Sequence, residues 1–257
     1  MSETTGKNVF ITGGSRGIGR GIAKVLARKG SNIAFTYNSS LAEAESLKAE
    51  IEEIGVRCLF FQAGMEEDGV PEEVTNRVVE ALGGIDVLVC NAGLTRHDSI
   101  LTLTEEHADF VYKLNFRSCM MCTKAAASDM IRRSVPGRII FISSTRGIRA
   151  YPEDNIYGSL KAGLIRSVQS LALELAPYRI TVNCIAPGAT KVRGDLSPEG
   201  LSEGYLAGII PLKRMGSPKE VGDLTAYLAS DDAGYITGET IRIDGGLILP
   251  GPPESPE

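Results

Sequence analysis

Short apolar runs alternate with longer amphipathic segments along most of this chain, and that alternation limits the folds open to it more than any other feature. "NVFIT" leads into "GIGRGIAKVLARKG", "NIAFTY" into "LAEAESLKAEIEEIG", and "RCLFFQ" into "VPEEVTNRVVEALGG", after which "IDVLVCNAG" follows. Runs such as "DVLVC" and "RIIFIS" carry apolar residues at consecutive positions. They suit strands covered on both faces, as in a parallel sheet whose crossovers lay helices on each side. The later half continues the pattern: "RIIFISS", a helix from about 156 to 176, the strand "RITVNCIAPG", the helix "SPKEVGDLTAYLAS" and the last strand "ETIRIDGG". Right-handed crossovers then predict a doubly wound α/β sheet with helices on both faces and ligands beyond the carboxyl ends of its strands.

No boundary between domains is visible in the 257 residues, and 43% hydrophobic residues suffice to bury a sizeable core. Residues 1–249 are read as a single dinucleotide-binding catalytic domain, with "PGPPESPE" at 250–257 as a flexible tail. The Gly- and Pro-rich stretch at about 189–216 is long for a connection in a compact domain and reads as a lid. The formal charge of −5 argues against general affinity for nucleic acid or anionic membrane. No run approaches the roughly 20 apolar residues of a membrane span, and "MSETTGKN" lacks the apolar stretch of a signal peptide. A cytoplasmic location is expected.

Five cysteines, an odd number within apolar elements, suit reduced thiols. Cys119 and Cys122 form a C-x-x-C, but it lies on an expected helix beside Met120 and Met121, where packing is the simpler reading. His97 and His107 are the only histidines, and no cluster has metal-ligand spacing, so no metal site is expected.

Two local motifs carry chemistry. The first strand runs into Thr12, Gly13, Gly14, Ser15, Arg16, Gly17, Ile18 and Gly19 before a helix begins. Glycines there allow a tight turn and close backbone approach, so a pyrophosphate can sit on exposed N–H groups at the positive helix end. Tyr157 and Lys161 stand four apart in "IYGSLKAGL". One helical turn puts a phenol and an ammonium on one face, where the cation stabilises the phenolate for acid/base work.

These motifs, taken together over nearly the whole chain, resemble the short-chain dehydrogenase/reductase family. "TGGSRGIG" is similar to its cofactor turn, Asn91-Ala92-Gly93 to its N-N-A-G motif, Tyr157-x-x-x-Lys161 to its catalytic signature, and Pro187-Gly188 to the turn after its sixth strand. Ser144 stands thirteen residues before the tyrosine, and Asn115 lies in the helix after the fourth strand, both family placements. The resemblance implies a Rossmann-type sheet of seven strands in the order 3-2-1-4-5-6-7. It also implies a catalytic group of Asn115, Ser144, Tyr157 and Lys161. Tyr157 donates the proton to a carbonyl oxygen or takes it from an alcohol, Ser144 holds that oxygen, Lys161 bonds the nicotinamide ribose, and Asn115 organises a water relay. Cofactor contacts are expected from Gly13, Ser15, Arg16, Gly17, Ile18, Gly19, Tyr37, Asn38, Ser39, Asn91, Ala92, Gly93, Tyr157, Lys161, Pro187, Gly188 and Thr190.

Cofactor choice is a question of charge. An Asp or Glu at the end of the second strand bonds the ribose hydroxyls of NAD, whereas a 2′-phosphate requires donors and no carboxylate. Tyr37, Asn38, Ser39 and Ser40 occupy this strand end, and Arg16 resembles the family's phosphate-binding arginine, so NADP(H) is expected over NAD(H). Two departures stand out: Cys90 replaces the first Asn of N-N-A-G, and Gly64 stands where the family has an Asp contacting adenine. Adenine is then left to the backbone or to Glu66.

The expected reaction is reduction of a ketone or a 3-oxoacyl group, since "IPLKRMGSPKEVGDLTAYLASDDAGYITGETIRIDGG" resembles 3-oxoacyl-carrier-protein reductases and glucose dehydrogenase-like relatives. An oxidative sugar, polyol or alcohol dehydrogenase is the enzymatic alternative, and a non-catalytic NADP(H)-binding sensor or scaffold the alternative of another class. Arg96, His97, Arg146, Arg149, Lys191 and Arg193 fall in segments expected at the site mouth and suggest an anionic or carrier-bound substrate. Arg132, Arg133 and Arg179 are further candidates for contact with an acidic carrier. The resemblance also implies a homotetramer, or a dimer, joined through the long catalytic helix and the C-terminal strand.

Overall fold

The computed structural model describes residues 4–94, 99–192 and 203–249. Its elements run β1 (Asn8–Ile11), α1 (Gly17–Arg28), β2 (Asn32–Tyr37), α2 (Leu41–Glu52), β3 (Cys58–Gln62), α3 (Val70–Leu82) and β4 (Val87–Cys90). They continue with α4 (Glu105–Tyr112), α5 (Ser118–Arg132), β5 (Arg138–Ile142), α6 (Asn155–Leu175), β6 (Thr181–Pro187), α7 (Glu203–Ile209), α8 (Pro218–Ala229) and β7 (Thr240–Ile243). The strands form one sheet in the order β3-β2-β1-β4-β5-β6-β7. Every pairing is parallel.

The unbroken apolar runs are explained by the two cores they serve. Side chains along a strand alternate between faces. Phe10, Leu88 and Phe141 therefore point to one side, with Val78 of α3, Met130 of α5 and Leu164 of α6. Val9, Ile11, Val89 and Ile140 point to the other, with Ile22 and Leu26 of α1, Leu47 of α2 and Val221 of α8. A side chain of either parity therefore sits in a core, and β4 is apolar throughout.

Helix starts follow local chemistry. α8 opens with a reciprocal capping box: the Ser217 Oγ accepts from the Glu220 N–H at 3.3 Å, and the Ser217 N–H donates to the Glu220 carboxylate at 2.8 Å. Pro218 at the first helical position loses no hydrogen bond there. α1 and α8 cross at Gly21 and Gly222, where a Cβ on Gly222 would come within 2.8 Å of Val25 Cγ2.

The expected helix after β4 is interrupted. Lys113–Arg117 forms a π-helical turn joining α4 to α5, and Asn115 lies in it rather than in regular helix. Such turns widen the helix by one residue and re-aim a side chain. The expected lid is described only at its ends, at 189–192 and from α7 onward. Residues 193–202 and the tail at 250–257 lie outside the described residues.

A candidate active site beyond the strand ends

Two hydrogen-bonded loops form the floor of the site. The Thr12 hydroxyl accepts from the N–H groups of Asn91 and Ala92, each at 2.9 Å, and Asn91 Nδ2 donates to the carbonyls of Thr12 and Gly13 at 3.0 and 2.9 Å. The glycine turn and the Asn91-Ala92-Gly93 segment are thus one unit, and the change at Cys90 leaves it intact. Gly13 has φ +67 and Gly17 φ +56, where a side chain would be strained. A Cβ on Gly19 would meet the Gly13 carbonyl oxygen.

α1 begins at Gly17 with no side-chain cap and no acidic residue in its first turn. Its positive end is therefore free to receive an anion. Ser15 is buried and Arg16 is exposed, and Ile18 packs partly against the core beside α1. The turn fits a pyrophosphate in its backbone and in what it lacks.

At the end of β2, Tyr37 is buried, its ring edge-on to Phe60 with centroids 5.6 Å apart. The groups left exposed are Asn38 and Ser39, and no carboxylate stands between them. The carbonyl of Asn38 accepts from Gln62 Nε2 at 2.9 Å, which ties the ends of β2 and β3 together. Beyond them lies a cavity of about 340 Å³. The carboxylate folded over Gly64 belongs to Glu67, not Glu66.

Tyr157 and Lys161 occupy the start of α6 and are 9% and 4% exposed. The Lys161 ammonium donates to the Ile142 carbonyl at 3.0 Å and lies 5.5 Å from the Tyr157 ring centroid. Ser143 donates to the carbonyl of Lys161 at 2.8 Å, so its hydroxyl is committed to holding α6 against β5. Ser144 is differently placed: its Oγ accepts from the Arg146 N–H at 3.1 Å and keeps its proton for another partner. Of the two adjacent serines, Ser143 is thus the one whose hydroxyl proton is committed to the Lys161 carbonyl.

Asn115 completes the group. Its Nδ2 donates to the carbonyls of Leu94 and Val111, at 3.2 and 3.1 Å. Its Oδ1 is buried with no hydrogen-bond partner. A buried acceptor of this kind calls for a donor such as water or a ligand. Gly93 leaves the space: a Cβ there would stand 2.5 Å from Asn115 Oδ1 and 3.5 Å from Lys161 Nζ. On the far side of the site, the Gly188 N–H donates to the Ile243 carbonyl at 3.0 Å, and Thr190 Oγ1 donates to the Gly188 carbonyl at 3.1 Å. These bonds hold Pro187, Gly188 and Thr190 at the end of β6.

The cysteines behind this site are all free and buried. Burial pushes the Cys122 and Cys58 thiols up to about 12 and the Cys184 thiol up to about 11, as expected of thiols in an apolar interior. Among the described residues, no cluster could hold a metal ion.

The basic residues named from sequence separate into different roles. Arg146 Nη1 stands 3.1 Å from Asp154 Oδ2, and the two side chains are 15% and 2% exposed. Its charge is therefore compensated inside the protein and is not a free cation at the mouth. Arg149 is exposed, 5.8 Å from the Tyr151 ring centroid. Lys191 is exposed and its backbone N–H is bonded to the Gly216 carbonyl at 2.8 Å. Arg96, His97 and Arg193 lie outside the described residues. Arg133 bonds Asp86 and Asp129 at 3.1 and 2.9 Å, and Arg132 also pairs with Asp129. Arg179 bonds the Ser134 carbonyl at 3.1 Å. All three flank the amino ends of β4, β5 and β6, opposite to Tyr157, which removes them as contacts at the site mouth.

A family model described as enoyl-(acyl carrier protein) reductase matches residues 13–248. The chain is 39% identical to the oxidoreductase UcpA of Salmonella typhimurium, over 97% of each protein. It is also 39% identical to the 3-oxoacyl-[acyl-carrier-protein] reductase FabG of Staphylococcus aureus, over 95% of this chain and 98% of that one. A short chain dehydrogenase from Burkholderia cenocepacia, solved in complex with NADP, superposes with TM-score 0.88 at 34% identity, over 95% and 98% of the two chains.

Proposed function

Because the chain belongs to the short-chain dehydrogenase/reductase family, oxidoreductases that act on CH–OH and C=O groups with a nicotinamide cofactor, we propose that it is an NADPH-dependent reductase of ketones or 3-oxoacyl thioesters. One observation carries this reading: Asn115 Oδ1 and Lys161 Nζ both face Gly93, with Lys161 Nζ 5.5 Å from the Tyr157 ring, on a sheet whose β2 end bears no carboxylate.

The glycine turn and the open first turn of α1 would hold the pyrophosphate, with Arg16, Asn38 and Ser39 toward the 2′-phosphate and Asn91, Ala92 and Thr190 toward the nicotinamide half. When bound, the dinucleotide supplies the hydride. Ser144 Oγ, free to donate, holds the carbonyl oxygen of the substrate, and Tyr157 gives that oxygen its proton. Lys161, anchored on Ile142, supplies the positive charge that favours the phenolate left behind. The unpartnered Asn115 Oδ1 is a fitting acceptor for water that returns the proton from solvent.

The exposed Arg149 supports an anionic or carrier-bound substrate, since Arg146 is already paired. A homotetramer is supported by apolar exposure on the long helix and near the last strand: Leu173 is 81% and Tyr235 104% exposed. Light scattering at micromolar protein tests the assembly. No helix among the described residues is long and apolar enough to cross a membrane, and a cytoplasmic enzyme is the reading adopted.

The deciding experiment follows NADPH oxidation against acetoacetyl thioesters, an enoyl thioester, keto acids, simple ketones and sugars, with the reverse assay on alcohols. Fastest turnover of a 3-oxoacyl thioester or ketone is expected. Turnover of sugars or polyols with NAD⁺ alone would replace this reading by the oxidative one, and NADPH binding without any turnover by the sensor.

A further inference from the structure

Arg146, whose charge is spent inside the protein, touches three parts of the chain at once. Its backbone N–H donates to Ser144 Oγ at 3.1 Å. Its guanidinium carbon lies 4.7 Å from the Tyr151 ring centroid, and Nη1 stands 3.1 Å from Asp154 Oδ2. A guanidinium is planar and forked, so it can stack on a ring while its edge meets a carboxylate.

The connection from Ser144 to α6 requires such a tie. Residues 148–150 and 152–153 are exposed, so little of it is packed. Glu153 has φ +58, a conformation that a residue with a side chain holds only where its surroundings enforce it. Asp154, the next residue, is buried, and its carbonyl accepts from the Gly158 N–H at 3.1 Å at the start of α6. Tyr157 follows three residues later. At the other end of the connection, a 3₁₀ turn at Thr145–Gly147 lies directly on α6. A Cβ on Gly147 would come within 2.7 Å of the Lys161 carbonyl carbon, and one on Gly158 within 3.0 Å of the Arg146 carbonyl oxygen. The turn after Ser144 and the helix bearing Tyr157 and Lys161 are therefore in contact, and the Arg146–Asp154 pair closes the loop between them.

We infer that Arg146 is a positioning residue for the reaction: paired with Asp154, it fixes the turn whose N–H orients Ser144 Oγ against the start of α6, where Tyr157 stands. The inference rests on the part given to Ser144 above, and it holds for either direction of hydride transfer. It gives this buried cation a task other than substrate binding, carried out through Ser144.

The test measures kcat, KM, NADPH affinity and Tm with the substrate that the wild type turns over fastest. The variants are Arg146→Met, Asp154→Asn and a control, Asp129→Asn, which removes the 4% exposed partner of Arg133 at the amino ends of the strands. Arg146→Met and Asp154→Asn should each lower kcat by about a hundredfold, the cost of an ångström of misplacement. KM and NADPH affinity should stay within about threefold, because the loss falls on the chemical step. Asp154→Asn leaves only the partly exposed guanidinium without its partner, so it carries the comparison if Arg146→Met unfolds. Asp129→Asn should lower Tm and leave kcat unchanged. In Ser144→Ala no hydroxyl remains to be oriented, and adding Asp154→Asn should cost less than about threefold more, since groups that act as a unit are not additive. Unchanged kcat in Asp154→Asn, an equal fall in Asp129→Asn, or as large a loss in the Ser144→Ala background as in the wild type would each overturn the inference and leave the proposed reaction standing. Absence of turnover by the wild type with every carbonyl and alcohol would overturn both readings.

Discussion

The ammonium of Lys161 sits 3.0 Å from the carbonyl oxygen of Ile142. That bond runs from the first turns of α6 to the last residue of β5 and sets where a positive charge stands beneath Tyr157. Its consequence is a division of labour between two groups one helical turn apart: the lysine is anchored by the sheet, and the phenol at 9% exposure is left at the surface of the site.

Tyr157→Phe should lower kcat by about 10³-fold or more, since a positioned general acid contributes on that order. NADPH affinity should stay within about twofold. Stopped-flow turnover and fluorescence titration on the same preparation check the two halves, and substantial residual turnover would exclude Tyr157 as the proton donor.

Gly93→Ala places a methyl group 2.5 Å from Asn115 Oδ1 and 3.5 Å from Lys161 Nζ. The Asn115 amide must shift while Lys161 Nζ stays at ordinary contact distance, and displacement by an ångström at a reacting centre costs about a hundredfold in rate. A fall of that size in kcat, with Tm nearly unchanged because Gly93 lies at the surface of the site, is the expected outcome. Steady-state kinetics beside calorimetry would detect either failure.

Asn38→Asp introduces a carboxylate at the exposed end of β2. A carboxylate there bonds ribose hydroxyls and repels a 2′-phosphate. The ratio of kcat/KM for NADPH to that for NADH should fall by about tenfold or more. An unchanged ratio would remove Asn38 from the cofactor site.

Arg146 and Arg149 should respond differently although they lie three residues apart. Arg146→Met leaves Asp154, 2% exposed, without its counter-charge, and breaking a buried pair in this way costs about 3 kcal/mol. Arg149→Gln should leave Tm unchanged and raise KM for an anionic ketone more than for a neutral one. Chemical denaturation of both variants, with KM for matched charged and neutral substrates, separates structural from recognition roles.

Glu220 links stability to acid pH. The Arg214 guanidinium and the Ser217 capping groups hold its carboxyl at about 2, below the ordinary 4.5. A depressed acid stabilises the fold fully above the unfolded value and loses that contribution as pH falls through the folded one. The Tm deficit of Glu220→Gln should therefore be largest above about pH 5 and shrink toward pH 2. Its size should be modest because the side chain is 37% exposed. A deficit independent of pH would place the effect in the capping geometry alone.

Much of the site was legible in the residues because the features that build it are local. The glycine turn lies between a strand and a helix that adjoin it in the chain, and Tyr157 and Lys161 are one helical turn apart. The π-helical turn around Asn115 was not legible, because no residue type in Lys113–Arg117 marks it. The duties of Ser143 and Ser144 were equally hidden, since they depend on which hydroxyl faces the Lys161 carbonyl.

The sequence by itself determined the parallel sheet covered on both faces, the glycine turn ahead of α1 and the one-turn spacing of Tyr157 and Lys161. These follow from periodicities of two and 3.6 residues and from glycine geometry, all set within short stretches of chain. Only the tertiary structure decided which charges are spent. Arg146 meets Asp154, and Arg133 meets Asp86 and Asp129. Formal charge is a property of a residue, but its compensation depends on what the fold brings within a few ångströms, and burial sets the strength of each pairing.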